Sequence, residues 1–585
     1  MDESKTPAIG EEELRKLTLV LQRYKSAKKR TDMRITSAEN WWRLRNAEEE
    51  RGESNLLGAG QGFKSCSGWL HNVIASKHAD AMEAYPAPVI RPREPGDRAE
   101  AERLNAVLPC VLEANRFEEV YDEVQSQKLK FGTGIYKIVW DRRALNGLGD
   151  IAISKVNPLN LYTEPGVEDI QKSRYVFQTE SVDRDVLEET YPELRGRLRD
   201  SLPPSARFAD ESLAEQINKV TVVECYYRRG GKLHYLRFVG DHLLYASEND
   251  PFRARRGFYD HGMYPFVFDT LFKVEGSPFG YGYVDLCRHA QTAIDLLNTS
   301  FVRNAVVGAV PRYFCRTDGA VNEEEFLDID RTLVHCSGNL GEDSLRPVDH
   351  HALDGVYVSF LDRMIDELRE TSGNTETATG NISSGVTAAS AIAALQEASG
   401  KGSRDANRGS YRAFCRIEEM LIELFRQFYD VPRCFRILGK GESTEFMQYT
   451  NSGLLPRHQG VLFGEDMGYR LPVFDVSCAA QRKNAFSTAA QNELALQFYN
   501  LGFFRAENAV QALAALQMMD FDGKAEVMEK IAANAAAVSG AYLPPHPAEG
   551  SAGGTGHLPY DAERMIPPRP APVPDGGVTR KEIVA

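Results

Sequence analysis

The first 280 residues combine helical and extended patterns of hydrophobic positions. Apolar residues recur every three or four positions in three stretches, which predict helices over 11–30, 68–85 and 97–130. From residue 131 the period changes to two, which predicts β-strands, and the turn from Arg229 to Lys232 is typical of a hairpin. The pattern predicts a helix-rich, mixed α+β body over roughly 40–280 rather than alternating βαβ units.

The next region has two helical patterns on either side of a β-like segment. Apolar residues predict a long helix over 282–310, which Pro311 ends, and another from about Leu353 to Glu370. The second helix carries a row of acids at intervals of four on the side opposite its apolar face: Asp362, Asp366 and Glu370. Residues 311–350, between the two helices, are β-like and acidic.

The remainder of the chain begins with a polar loop. Residues 372–387 are small and glycine-bearing, with Glu376 as the single charge, a composition typical of a loop. A long helix is predicted over 388–430, with glycines placed to kink it. The pattern then predicts strands within 431–480, alanine-rich helices over 481–540 and a disordered Pro- and Gly-rich tail over 541–585.

The composition narrows the classes of function. Of 585 residues, 42% are hydrophobic and 26% are charged, and the net charge of −14 excludes a protein that grips nucleic acid over its whole surface. The acidic opening over 1–16 does not resemble a signal peptide, and no apolar run is long enough to cross a membrane. Nine scattered cysteines indicate reduced thiols in a protein made in a cytoplasm.

Three sequences approach catalytic or metal-binding motifs, and each lacks a required feature. In the loop over 58–65, Phe63 separates the last glycine from the lysine, which a phosphate loop does not allow. A GxSxG nucleophile elbow is absent. One group of metal-binding residue types matches no complete ligand pattern: Asp349, His350, His351 and Asp354. We therefore predict no catalytic residue, no cofactor and no metal.

One predicted helical face carries a ladder of arginines at intervals of four: Arg404, Arg408, Arg412 and Arg416. Like charges one turn apart repel each other, so the ladder is unfavourable unless something negative faces it. Three interpretations stay open. The ladder is a solvated face with local partners such as Asp405, or it faces an acidic surface of a neighbouring subunit, or it faces DNA phosphates.

The order of helix, β-like insert, helix, polar loop and long kinked helix resembles the core of the portal proteins of tailed bacteriophages. The runs over 131–141 and 149–158 are similar to the wing strands of such portals, and 278–282 is similar to the sequence before their first stem helix. The likeness covers roughly residues 60–540.

This resemblance implies a portal-like architecture with the following parts: an N-terminal arm (1–60), a wing (61–281), a first stem helix (282–310), a clip (311–350), a second stem helix (351–371), a tunnel loop (372–387), a long kinked helix (388–430), wing return strands (431–480), a helical crown (481–540) and a disordered tail (541–585). It also implies a ring of about twelve copies without catalytic activity, at one vertex of the virion capsid. The ring would conduct double-stranded DNA and dock terminase, head–tail adaptor and tail proteins, major capsid protein and scaffolding protein.

Two groups of residues are the candidate functional sites. We expect the arginine ladder to join neighbouring subunits or to face the channel. We expect the tunnel loop to touch passing DNA without reading its sequence, through Asn374, Thr375, Glu376, Thr377, Thr379, Asn381, Ser383 and Ser384. The competing interpretations are another structural component of a virus head or head–tail junction, an NTPase or nuclease of the packaging motor, and a host-side binding module.

Overall fold

The computed structural model describes the chain over the following residues: 9–45, 65–198, 218–309, 313–315, 322–328, 333–336, 345–348, 354–374, 401–438, 444–459, 461–462, 465–466, 468–482, 495–505, 508–517 and 524–540. The chain has two compact units, Met1–Asn484 and Ala485–Ala585. About half of the described residues are helical, and the strands form several small antiparallel sheets. Within these residues no helix has the length and apolar character needed to span a membrane.

The first unit contains the longer helices of the fold. The helices predicted over 68–85, 282–310 and 353–370 are present, as is the described part, from residue 401, of the helix predicted over 388–430, whereas the helices predicted over 11–30 and 97–130 differ from those observed. The helices are α1 (Glu11–Trp42), α2 (Trp69–Glu83), α3 (Arg98–Ala114), α4 (Phe117–Phe131), α5 (Arg184–Thr190), α6 (Pro251–Arg256), α7 (Tyr283–Ala309), α8 (Glu323–Leu327), α9 (Gly355–Ser372) and α10 (Lys401–Phe428).

The strands of the first unit lie between these helices and after α10. They are β1 (Ala84–Pro92), β2 (Thr133–Asp141), β3 (Asp150–Lys155), β4 (Leu161–Thr163), β5 (Tyr175–Asp183), β6 (Lys219–Arg229), β7 (Lys232–Val239), β8 (His242–Ala246), β9 (Phe266–Thr270), β10 (Phe272–Val274), β11 (Ser277–Tyr281), β12 (Tyr313–Cys315), β13 (Leu345–Pro347), β14 (Arg433–Leu438), β15 (Thr444–Tyr449), β16 (Arg457–His458), β17 (Val461–Leu462), β18 (Glu465–Asp466), β19 (Tyr469–Arg470) and β20 (Phe474–Arg482).

The largest sheet has five antiparallel strands in the order β4-β5-β6-β7-β8. The predicted hairpin between β6 and β7 is confirmed: Arg229 pairs with Lys232, and the two loop residues, Gly230 and Gly231, have φ of +59° and +77°. Positive φ at both positions is the geometry that a two-residue hairpin turn requires, and glycine adopts it without strain. A three-stranded sheet has the order β3-β2-β9, and β1 pairs with β20.

The three largest apolar clusters of the first unit join its helices and sheets. The largest joins α3, α4 and α10 to β2, β3 and β9 through side chains that include Phe117, Tyr136 and Phe414. In a second cluster, α1 packs Leu14, Leu17, Leu21 and Tyr24 onto the five-stranded sheet. A third joins the end of α1 to α2, α7 and α9. The two predicted long helices around the insert therefore share one core with the N-terminal helix.

Two predicted helix boundaries are wrong. The N-terminal helix does not end near residue 30 but continues to Trp42, because Ile35 and Ala38 extend its buried face. The single helix predicted over 97–130 is two helices, α3 and α4, separated at Arg116, which has φ of +47°. A non-glycine residue in the left-handed region interrupts the helical hydrogen bonds, so the chain changes direction there.

The second unit is a small helical body. Its described helices are α11 (Ala509–Gln517) and α12 (Lys524–Gly540), which agrees with the helices predicted over 481–540. Their core contains Phe498, Leu516 and Ile531. The predicted tail over 541–585, the loop over 375–387 and the first part of the long helix, 388–400, lie outside the described residues.

Candidate functional site

Helices α7 and α9 pack against each other in the first unit. Cys287, Ile294 and Leu368 are buried where the two helices meet. The α7 helix begins directly after β11, where Arg34 of α1 pairs with Asp285 at 3.3 Å. The start of α7 is therefore fixed to the N-terminal helix, while its later part extends beyond this contact.

Both helices expose large apolar side chains. Leu296 is 66% exposed on α7, and Val356 is 69% exposed on α9. Tyr357 and Phe360, also on α9, are 47% and 46% exposed. The described residues of one copy do not cover these side chains, which makes them candidates for contact with another molecule.

The insert between the two helices contains a short antiparallel pair of strands and, between them in sequence, a one-turn helix. Strand β12 pairs with β13, and α8 carries the acidic run 323–325. Glu325 is held by His335, with 2.8 Å between the Glu325 carboxylate and His335 Nδ1. Phe314, Leu327 and Leu333 are each at least 65% exposed. The insert therefore also exposes apolar side chains that another molecule could contact.

The middle of α10 is anchored by a buried polar cluster. Lys128 of α4 and Asp269 of β9 are both 1% exposed and lie 2.8 Å apart. Lys128 Nζ also donates to Ser410 Oγ at 2.7 Å and to the Ala406 carbonyl at 2.9 Å. Gln125 and Ser410 each donate to Asp269 Oδ2. Because every bond crosses between elements, the cluster fixes the position of α10 along its axis.

The end of α9 and the start of α10 are tied to the same side chain of α2. Lys77 Nζ donates to the Gly373 carbonyl at 3.3 Å and to Ser403 Oγ at 3.1 Å, and Ser403 Oγ donates to Asp80 at 2.6 Å. Lys77 is 5% exposed, and burial lowers the pKa of its ammonium, although Asp80 acts in the opposite direction. The two ends of the described structure that flank residues 375–400, at Gly373 and Ser403, therefore lie close together.

The first of the predicted tunnel-loop residues belongs to this anchor. Asn374 is 6% exposed, its amide carbonyl accepts a hydrogen bond from Ser76 Oγ at 3.2 Å, and its backbone N–H donates to the Arg369 carbonyl. The other seven candidates lie outside the described residues: Thr375, Glu376, Thr377, Thr379, Asn381, Ser383 and Ser384.

The structure places the arginine ladder on the exposed face of α10. The four side chains, Arg404, Arg408, Arg412 and Arg416, are all exposed, whereas the opposite face of the helix is buried. Arg412 and Arg416 border an open cleft of about 510 Å³, with Glu168 and Lys273 on the other side. The buried face of α10 is apolar and includes Phe414, Ile417 and Leu421, and the role of the ladder stays a prediction.

The same helix contains a buried carboxyl group that sequence reasoning missed. Glu418 is 0% exposed, and neither of its carboxylate oxygens has a hydrogen-bond partner. Burial and, to a lesser extent, the charge of Glu419 together raise the pKa of this carboxyl to about 8. The spacing carried a signal, because Glu418 lies four residues after Phe414 and three before Leu421, on the apolar face.

The other residues tested for chemistry form no site in the part of the chain that the structure describes. No group of three or more metal-ligating side chains occurs there. The loop over 58–64 and the residues Asp349, His350 and His351 lie outside it, and Asp354 caps α9 by accepting from the Gly355 N–H at 2.7 Å. Eight described cysteines are free thiols.

Comparison with known proteins identifies a family for this chain. A family model described as phage P22-like portal protein matches residues 79–242 and 317–550, which is about two thirds of the chain. The match covers the residues from the end of α2 through α12, apart from 243–316, a gap that extends from β8 through α7 to β12 at the start of the insert. No curated protein matches the chain.

Proposed function

Since the chain belongs to the phage P22-like portal protein family, we propose that about twelve copies form the ring. The protein is a capsid portal of a phage virion, a structural component without enzymatic activity, and the ring is the passage for DNA during packaging and ejection. The family match over about two thirds of the chain is the observation that carries this function.

We propose that α7 and α9 are the stem of the ring, that the insert between them is the clip and that the first unit otherwise forms the wing. Two observations support this assignment. The paired helices expose Leu296 in the middle of α7 and Val356 at the start of α9, outside their shared core. A ring would bury such side chains between neighbouring stems, as a single copy does not.

Residues 375–385 are the proposed contact with DNA in the channel. Both flanks of the longer segment 375–400 are bound at Lys77, which keeps its two ends together whatever path the intervening residues follow. Residues 375–385 have mostly small hydroxyl and amide side chains and one charge, that of Glu376. They would therefore touch phosphates weakly and allow DNA to slide. Asn374 acts as the anchor of this segment.

The arginine ladder is proposed to join neighbouring subunits. Its four side chains project from a helix whose other face is buried and whose axial position the Lys128–Asp269 pair fixes. A fixed row of positive charges gains most from a fixed row of negative charges, which a neighbouring copy of an acidic chain supplies. DNA phosphates in the channel are the alternative partner for the ladder.

The proposed protein partners are terminase during packaging and head–tail adaptor, tail, capsid and scaffolding proteins in the assembled particle. The exposed apolar residues of the insert support docking at this end of the chain, because Phe314, Leu327 and Leu333 are accessible together with the acidic residues of α8. An apolar centre with a charged rim is typical of protein interfaces.

Electron microscopy of the purified full-length chain, with the particle mass measured in parallel, tests the proposed ring. Rings with a central hole and a mass near twelve copies of 65.3 kDa are expected. A different closed ring would correct the subunit number only. A chain that remains a monomer in the presence of scaffolding protein would contradict the proposed assembly.

A further inference from the structure

The N-terminal helix carries an unusual distribution of charge for this acidic protein. Between Glu13 and Glu39 the single acidic residue is Asp32, although the whole chain has 83 acidic and 69 basic residues. The same stretch contains eight basic residues: Arg15, Lys16, Arg23, Lys25, Lys28, Lys29, Arg30 and Arg34. The helix lies outside the residues that the family model matches, so its role is not given by the family.

The basic residues on the inner side of α1 are paired within the chain. Lys28 is 7% exposed, forms an ion pair with Asp32 at 2.9 Å and lies over the ring of Tyr162. Arg34 pairs with Asp285. These contacts, together with the buried leucines, hold the helix on the five-stranded sheet and determine which side faces outward.

The basic residues on the outer side have no such partners. Arg15, Arg23, Lys29 and Arg30 are exposed, and none of the four forms an ion pair with any residue of the described structure. At 100° per residue they fall within an arc of about 120°, and they span about 22 Å along the axis. Two carboxylates, Glu11 and Glu12, lie on the same arc in the first turn of the helix, before Arg15. Arg23 also contributes to lowering the pKa of Glu164, which pairs with Arg174 at 2.8 Å.

We propose that this outer face of α1 binds the phosphate backbone of double-stranded DNA. From Arg15 onward the arc carries cations without ion-pair partners among the described residues and no carboxylate, and such a row on a rigid helix is complementary to a uniformly charged polyanion. The inference rests on the portal function, since DNA is the polyanion that such a ring conducts, and it does not depend on the proposed contact at 375–385.

A protein partner fits this face less well than DNA. The large apolar side chains exposed on the arc are Leu19 and Met33, at 66% and 64% exposure, and about 21 Å of helix separates them. They therefore form no continuous apolar patch, which a protein interface needs at its centre. Each ring would present one copy of the basic face per subunit, so weak contacts would add along one DNA molecule.

Binding of purified full-length rings to a short linear DNA duplex, measured between about 50 and 200 mM KCl, tests the proposal. The test variant is R15Q/R23Q/K29Q/R30Q, which removes four charges and keeps good helix-forming residues. The matched control, R142Q/R143Q/R195Q/R197Q, removes four exposed charges elsewhere on the same unit.

The test variant should bind DNA at least about tenfold more weakly at low salt, and the slope of log K against log salt should fall by about one per lost phosphate contact. The control should change affinity by less than about threefold. Equal losses in both variants would show a dependence on net charge alone and overturn the proposal. Failure of the test variant to form rings, while wild type and control do, would assign the face to a subunit interface and also overturn it. A wild-type chain without rings contradicts the proposed assembly instead.

Discussion

The ammonium of Lys77 lies 3.1 Å from the hydroxyl of Ser403, across 326 positions of sequence. The same ammonium reaches the Gly373 carbonyl, so one side chain of α2 holds the last turn of α9 and the first turn of α10. In a portal ring, this contact determines where the segment proposed to meet DNA starts and ends.

Replacing Lys77 with Met should loosen this junction. The change removes the hydrogen bonds to Gly373 and Ser403 and leaves Asp80 with less compensation, so we expect a loss of about 2 kcal/mol in unfolding free energy. Hydrogen exchange should rise at residues 372–374 and 401–404 more than elsewhere. The exposed Lys29→Met variant is the control. Equal exchange in the two variants would show that Lys77 does not stabilise the junction of α9 and α10.

Replacing residues 375–385 with a Gly–Ser linker of equal length should preserve rings and impair DNA packaging or retention. The anchors at Asn374 and Ser403 remain, whereas the side chains proposed to touch DNA are removed. A scrambled segment of the same composition should retain packaging, because contacts with the phosphate backbone do not require a particular order. Wild-type packaging by the Gly–Ser variant would disprove the proposed contact.

Arg408→Glu should weaken ring assembly if the arginine ladder joins subunits. A negative charge in the middle of the row would repel an acidic surface of the neighbour, so fewer rings and dissociation at lower salt are expected, by native mass spectrometry or sedimentation. Arg195→Glu changes an exposed charge away from α10 and should assemble normally. Normal yield and salt stability of the Arg408→Glu rings would remove the ladder from the interface.

Glu418→Gln should stabilise the protein increasingly as the pH rises from about 5 to 8. Burial raises the pKa of Glu418 to about 8, so the folded chain keeps a proton that the unfolded chain has lost. Stability due to this group is therefore greatest at low pH and declines toward the folded-state pKa.

Glutamine is neutral throughout, so the variant avoids this decline and should gain about 2 kcal/mol near pH 8. Unfolding by urea at pH 5 and pH 8 measures the difference, and the exposed Glu113→Gln variant serves as control. A gain that is equal at both pH values would show that ionisation of Glu418 is not its cause.

Local periodicity predicted most helices because their buried faces repeat along the chain. Helix α7 was predicted over 282–310 and extends over Tyr283–Ala309. The N-terminal helix was predicted too short because the basic run ending at Arg30 disrupts the visible pattern, although Ile35 and Ala38 continue the buried face. Helix ends follow local turns such as that at Arg116, and hydrophobic periodicity does not specify these.

Features that depend on distant partners were not predictable from one sequence. Lysine is usually a surface residue. Lys77 and Lys128 are buried because their ammonium groups bind Ser403 and Asp269, which are distant in sequence. Strand β1 was interpreted through Pro86 and Pro88 as the end of a helix, since proline is unusual in strands. Its partner β20 lies almost 400 residues later, and no local pattern indicates that pairing.

The pairing of β1 with β20 also has a consequence for synthesis. Ala84 pairs with Arg482 and Pro92 with Phe474, so the strand that completes this sheet leaves the ribosome after nearly all of the first unit. Contacts of such sequence separation form late, and a chain stopped before residue 474 exposes an open strand edge. We expect interrupted translation products to aggregate or be degraded rather than enter a ring, so that late sheet closure acts as a check on completeness before assembly.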